Sequence, residues 1–186
     1  MRRLSALLSA ILLTSLAHAQ NRPEPIRLCI STLQNSSHTA LDMTWQRDQL
    51  IKAFERNNKG KDVTKGKAAR IETVLLESNS ETDPAVRENN CQFILRANVV
   101  EVIDAGTSDA STRPRSVVIG SAPNDRSNAP NDNRATVSYR IMRAGELAPL
   151  ASGELTAHDP LPDAMLISHL MDQTANRVVS ELRESH

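Results

Sequence analysis

The chain has 186 residues, of which 24% are charged, and its 22 basic and 22 acidic side chains give a formal net charge of zero. This balance excludes general nucleic-acid binders, whose affinity depends on an excess of lysine and arginine over acidic residues. A hydrophobic content of 39% is too high for a wholly disordered chain and too low for a polytopic membrane protein. The aromatic residues are too few for a platform that stacks successive bases: Trp45, Tyr139, Phe54 and Phe93.

Residues 1–19 have the pattern of a secretory signal peptide. Two arginines follow the initiating methionine, an apolar stretch runs from Leu4 to Leu16, and small residues occupy the positions before a cleavage site after Ala19. The apolar stretch is shorter than the about 20 residues that span a bilayer, although a retained N-terminal anchor is the alternative. We expect residues 20–186 to form a single domain that is periplasmic or secreted.

The two cysteines, Cys29 and Cys91, each lie in an apolar run with the pattern of a strand. An exported protein folds in an oxidising compartment, where an even number of cysteines favours pairing. We predict a Cys29–Cys91 disulfide that joins two neighbouring strands. The alternative is two separate buried thiols, since cysteine often packs as a small apolar side chain.

The first half of the chain has the pattern of a β-α-β unit. Alternating apolar residues predict a strand at Ile26–Ile30, followed by a polar loop at Gln34–Thr39. A helix is expected from a cap at Asp42 or Thr44 to about Arg56, because both residue types accept hydrogen bonds from the first helical amides. A second strand is predicted at Ile71–Leu76.

The second half is predicted to contain a short helix, three strands and a long amphipathic helix. Each helix follows an Asp-Pro pair, which is a helix-start signal because aspartate caps and proline loses no hydrogen bond at the first position. The predicted elements are a helix between residues 83 and 90, strands at Cys91–Ile103, Ala135–Met142 and Leu150–Thr156, and a helix at Leu161–Leu182.

The resulting order is β-α-β-α-β-β-α. Alternating strands and helices indicate helices packed on a sheet, with parallel central strands and an antiparallel pair. We therefore predict an α/β (α+β) fold with a single mixed sheet of about five strands and helices packed on it.

Residues 104–134 differ from the rest of the chain, since they are dominated by Asp, Asn, Ser, Arg, Gly and Pro. Loops of this length inside a domain are rare and are either functional or disordered. One apolar island interrupts the segment, and we predict that its residues, Val117, Val118 and Ile119, contact a partner. The alternative is a mobile excursion between two long strands.

A cluster of basic residues between positions 52 and 70 predicts a second surface of interest. This stretch holds seven basic and two acidic residues, so it is positively charged while the remainder of the mature chain is negative. It would dock an anionic membrane surface or an acidic partner. The alternative is a solvated loop whose charge complements a helix end. The basic patch consists of Lys52, Arg56, Lys59, Lys61, Lys65, Lys67 and Arg70.

The order of the elements also suggests a family. The chain opens with a strand and loop at Ile26–Asn35, later continues through Cys91-Gln92-Phe93-Ile94-Leu95, and ends with a hairpin that has a polar turn at Arg143–Glu146 and an amphipathic helix. In these features it resembles the N-terminal domain of TolB and the CsgG-like periplasmic domain. It departs from them in having no lipobox cysteine and no propeller. The resemblance implies a non-catalytic envelope module that works by binding other proteins.

The sequence contains none of the motifs of common enzymes, such as a nucleophile elbow, a phosphate-binding loop or a zinc-binding helix. The alternative function is a small periplasmic hydrolase in which His158, oriented by Asp159, would activate Ser31 or Ser152. A third interpretation is a ligand-binding module. We expect no metal, no cofactor and no nucleic-acid partner; the expected partners are envelope proteins whose identity the sequence does not indicate.

Carboxylates at the strand ends are further candidates for acid–base chemistry on a glycan. Glu72 and Glu77 flank the second predicted strand, and Glu101 and Asp104 lie at the end of the third. Solvated carboxylates are the simpler interpretation, because no aromatic residue that would stack on a sugar is nearby.

Overall fold

The computed structural model describes residues 23–77, 84–104 and 133–185. The predicted signal peptide and the apolar island at residues 117–119 lie outside the described residues and stay predictions. The described part of the chain contains six strands and four helices: β1 (Ile26–Ile30), β2 (Gln34–Asn35), α1 (Met43–Asn58), α2 (Lys61–Thr64), β3 (Ile71–Leu75), α3 (Pro84–Glu88), β4 (Phe93–Ile103), β5 (Asn133–Arg143), β6 (Pro149–Asp159) and α4 (Asp163–Glu184).

The strands form one mixed sheet in the order β3-β1-β4-β5-β6, and β2 also pairs with β4. Strand β1 is parallel to β3 and β4, whereas β4, β5 and β6 are antiparallel to one another. The predicted α/β (α+β) fold is confirmed. Strand β2 is the addition: the segment from Gln34 was expected to be a loop, but Gln34 and Asn35 pair with Asn98 and Val99.

The main core lies between one face of the sheet and the two long helices, α1 and α4. It is aliphatic except for Phe54, Phe93 and Tyr139. Every third or fourth residue of α4 is buried, from Leu166 to Leu182, which is the spacing that buries one face of a helix. Because both long helices pack on the same side, the other side of the sheet has much less cover.

The first residues of the two long helices, α1 and α4, test the predicted capping residues. At α1 the Asp42 carboxylate accepts a hydrogen bond from the Trp45 amide at 3.0 Å, as predicted. The prediction that α4 starts at an Asp-Pro pair is wrong. Asp159 is still part of β6, and its carboxylate accepts from the Leu161 amide at 3.1 Å, so it shapes a turn and the helix begins only at Asp163.

A second, smaller core lies on the opposite face of the sheet, beneath α3. The disulfide between Cys29 and Cys91 is part of it, with a Cα–Cα distance of 5.7 Å. The predicted pairing of the two cysteines is present. Cys29 lies in β1, and Cys91 lies two residues before β4 rather than inside the strand, so the bond links β1 to the start of its neighbour β4. The other buried members of this core are Leu76, Val86, Ile94 and Met142.

Gly153 in β6 faces the ring of Tyr139 in β5. A Cβ atom at position 153 would lie 2.8 Å from the ring, and Tyr139 is buried. We expect Gly153→Ala to lower the free energy of unfolding by about 1–3 kcal/mol, because the ring must leave its position in a packed core. Urea unfolding measures the change, and Ser152→Ala at the exposed neighbouring position is the control. Equal stability of the two variants would contradict this packing.

Candidate functional site

The face of the sheet opposite α1 and α4 carries mostly polar side chains along β4, β5 and β6. In the described residues only α3 covers this side, at the corner near the disulfide. Because side chains alternate along each strand, the register of β4, β5 and β6 identifies the residues that point to this side. We call this surface the open face, and it consists of Arg96, Asn98, Glu101, Ile103, Arg134, Thr136, Ser138, Arg140, Ser152, Glu154, Thr156 and His158.

Cross-strand pairs order the open face. The hydroxyl groups of Thr136 and Thr156 lie 3.1 Å apart across β5 and β6, and Glu101 forms an ion pair with Arg134 at 3.4 Å. A register shift between Val99 and Glu101 interrupts the β4–β5 pairing at this point. Bulges of this kind re-aim side chains and are common next to functional sites.

A concavity with a volume of about 440 Å³ lies on the open face beside this shift. The loop after β2 forms one wall through Ser36, Ser37 and His38, and Ile103, 42% exposed, contributes an apolar side chain. Strand β4 ends here, and β5 begins here, so the predicted partner-contact residues 117–119 belong to the segment that connects the two strands at this end. The sequence indicated a polar loop here but not its contribution to a surface concavity, because only the pairing of β2 with β4 brings the loop to this place.

The outer edge of β6, the last strand of the sheet, borders the open face. β6 has 11 residues and pairs with β5 along its length, and no strand in the described part of the chain pairs with its other side. Natural edge strands are commonly protected by lysine, a bulge or proline within the strand. Here Pro149 is the first residue of β6, Pro160 follows its last residue, and the β5–β6 register shifts between Ile141 and Met142, near the start of β6. The stretch from Ala151 to Asp159 pairs with β5 without a further shift. An unpaired strand of this length is a template for pairing with another polypeptide.

The residues of the alternative hydrolase are not brought together. His158 and Ser152 are both on the open face, but they are six residues apart on one strand, or about 20 Å. Ser31 is buried and its hydroxyl donates to the Leu95 carbonyl at 3.1 Å. Asp159 lies on the other side of the strand from His158, and its carboxylate is used in the turn to α4.

Two of the four strand-end carboxylates, Glu72 and Glu101, form ion pairs with arginines. Glu72 pairs with Arg27 at 3.5 Å, just as Glu101 pairs with Arg134. Opposite charges on neighbouring strands stabilise a sheet, so these two ion pairs account for Glu72 and Glu101 without a catalytic role.

A different pair of carboxylates lies where β4 meets the start of α4. The Oδ1 atom of Asp163 is buried without a hydrogen-bond partner in the described residues. Burial, together with the nearby charge of Asp104, raises the pKa of Asp163. The contribution of Asp163 to stability therefore decreases as the pH rises through its pKa in the folded state.

Within the described ranges, no group of three or more His, Cys, Asp or Glu residues could hold a metal ion.

The basic patch occupies a different part of the surface, from the last turns of α1 through α2 to the residue before β3. All seven of its side chains are exposed. Arg56 pairs with Asp172 on α4, while Lys59 and Arg70 line a concavity of about 760 Å³ beside the N-terminal lead-in to β1. Docking to an anionic surface stays a prediction.

None of the helices within residues 23–77, 84–104 and 133–185 is both long enough and apolar enough to span a membrane.

Comparison with known proteins identifies the fold but no family. No protein-family model matches the sequence, and no curated protein matches it. The PelC dodecamer from Paraburkholderia phytofirmans, solved in two crystal forms, superposes with TM-scores of 0.51 and 0.50 at 11% sequence identity, over 86% of this chain and 88% of that chain.

The hypothetical protein CT253 from Chlamydia trachomatis gives a TM-score of 0.51 at 8% identity, over 84% of this chain and 97% of that chain. At such low identity these similarities show a shared fold alone. The resemblance to the TolB and CsgG domains stays a prediction, since neither is among the structures named here.

Proposed function

We propose that this protein is an exported, non-catalytic module of the cell envelope that acts by binding other proteins. The open face and the β6 edge form its contact surface. The observation that carries the proposal is the 11-residue β6 strand, whose outer side has no partner strand in the described residues. A solvated face is common in antiparallel sheets, but a long unpaired edge offers backbone donors and acceptors to a second chain.

The disulfide and the N-terminal sequence support a location outside the cytoplasm. A disulfide that joins two central strands forms and persists in oxidising compartments, which supports a periplasmic or secreted location. We propose cleavage after Ala19, so that the mature chain starts at residue 20.

The partner is either another copy of this chain or a different envelope protein. The dodecameric state of PelC, which shares this fold, supports self-assembly. We include the apolar island at residues 117–119 in the contact surface, because the segment that carries it begins and ends beside the concavity on the open face.

Two lysines on β6 test the proposal. Ser152 and Thr156 are exposed and lie on the open face, so Ser152→Lys combined with Thr156→Lys preserves the core while it adds charges of the kind that block edge pairing. We expect the variant to recover about tenfold less of the partner than the wild type does when the tagged protein is isolated from crosslinked cells.

Ser180→Lys is the matched control, since Ser180 is exposed on α4, away from the sheet edge. Light scattering of the isolated complexes distinguishes a second copy from a different protein. If the double variant recovers the same partner in the same amount as the wild type, β6 is not the contact surface.

A further inference from the structure

A concavity of about 330 Å³ lies between the end of α1, the short helix α2 and the last turns of α4. We propose that it binds a phosphate group, held by the guanidinium of Arg183 and the ammonium of Lys61. This site is distinct from the open face and does not depend on the proposed protein contacts. Its polar lining consists of Arg56, Asn57, Lys61, Asp62, Asp172, Asn176 and Arg183.

Arg183 carries the inference. Its Nε and Nη2 atoms are buried and have no hydrogen-bond partner in the described residues. These two nitrogens form one edge of the planar guanidinium, and this edge donates two parallel hydrogen bonds to a carboxylate or phosphate. The group cannot lose its charge, so an edge that is removed from water without an acceptor is unfavourable. Both nitrogens are shielded from solvent in this side-chain conformation, so an oxyanion in the concavity would satisfy them after rotation of the Arg183 side chain toward it.

The other charged side chains indicate which oxyanion fits. Arg56 and Asp172 are already paired with each other, and the Asn57 side chain donates to Asn176 at 2.9 Å. Lys61 and Arg183 are therefore the two cations that no ion pair in the described residues occupies. Two cations suit a dianionic, tetrahedral phosphate better than a singly charged carboxylate, even with Asp62 also in the lining.

The surroundings favour capture of an anion. Arg56 and Lys61 of the basic patch line the concavity, and the other basic residues of the patch are close to them in the sequence. This positive charge raises the local potential, which concentrates anions and speeds their association. Arg183 also lines an adjoining concavity of about 430 Å³ that includes Lys67. A phosphate with a larger attached group, such as a lipid headgroup or a soluble phosphate ester, therefore has room on this side.

Titration calorimetry of the exported, disulfide-bonded protein with inorganic phosphate tests the site. We expect Arg183→Lys, which keeps the charge but loses the two-donor edge, and Lys61→Gln each to weaken binding by about tenfold. Lys61 is exposed, so its variant tests the site even if substitution of Arg183 impairs folding. Arg177→Lys on the same helix and Lys65→Gln in the basic patch are the controls, and each should change the affinity by less than about twofold.

Vesicles of phosphatidylglycerol, compared with phosphatidylcholine, separate the two sources of the phosphate. Stronger binding to phosphatidylglycerol that Arg183→Lys and Lys61→Gln abolish assigns a lipid headgroup, whereas binding of inorganic phosphate alone assigns a soluble ligand. The proposal is overturned if neither probe binds, or if Lys65→Gln weakens binding as much as Lys61→Gln does, since attraction would then be spread over the whole patch.

Discussion

Loss of the Cys29–Cys91 disulfide is expected to lower the free energy of unfolding by about 3–4 kcal/mol. The bond joins residues that are 62 positions apart, so it restricts a large part of the unfolded chain. It also lies in the small core beneath α3, which has only six buried members and offers little packing to compensate. Alanine is the appropriate replacement at both positions, because a serine hydroxyl would be buried there without an assured partner.

The measurement is urea unfolding of the wild type, the Cys29→Ala/Cys91→Ala variant and the reduced wild type. The variant and the reduced protein should agree within about 1 kcal/mol, since both lack the same crosslink. Alkylation before reduction supplies a direct check by mass spectrometry. Two alkylatable thiols in the exported protein, or a reduced protein as stable as the oxidised one, would contradict the role of the disulfide.

The second large effect is expected at Asn58, in the last turn of α1. Its side-chain amide donates to the Ile71 carbonyl at 2.6 Å, and its carbonyl accepts from the Ile71 amide at 2.9 Å. Asn58→Ala removes both bonds and leaves the backbone groups of a residue that is only 2% exposed without these partners. We expect a loss of about 2–3 kcal/mol, because each unsatisfied group adds to the lost bond.

Hydrogen exchange of the backbone amides shows which strand Asn58→Ala destabilises. Protection of β3 should fall in Asn58→Ala before protection of β4 or β5 does, because Ile71 is the first residue of the edge strand β3. Lys59→Ala is the control at the next, exposed position and should change stability by less than about 0.5 kcal/mol. A loss of protection spread evenly over the sheet would show that Asn58 does not act on β3 in particular.

Much of the fold follows from periodic patterns that are local in sequence. Strand β1 matches its predicted bounds, and the alternation of Phe93, Leu95, Ala97 and Val99 places all four side chains in the main core. The disulfide was predictable because an exported chain with two cysteines favours their pairing, although the sequence did not show that β1 and β4 are neighbours. The strand predictions depend on the alternation of apolar and polar residues over a few positions. Contacts with distant parts of the chain favour the same strands in the folded protein.

The errors occur where distant contacts decide the structure. Gln34 and Asn35 have no strand pattern of their own and become β2 only by pairing with β4. The Asp-Pro pair at residues 159–160 has the same local signal as a helix start, but pairing between Asn133 and Asp159 extends β6 to that point.

The candidate sites were predictable only in part. The charge of the basic patch is visible in the sequence, because its members are close together along the chain. Arg183 is more than a hundred residues away from Lys61 in the sequence, and only packing of α4 against α1 and α2 brings both to one concavity. The open face was not recognised, because a polar residue in an alternating strand indicates only that one side is solvated.

Site-specific photo-crosslinking in intact cells tests the central claim most directly. A photoreactive residue replaces Thr156 on the open face of β6 and, in a matched strain, Ser180 on the exposed side of α4. We expect one discrete protein adduct from position 156 and none from position 180. No adduct from position 156, or the same adduct from both positions, would contradict the claim that this module binds proteins through the open face and the β6 edge.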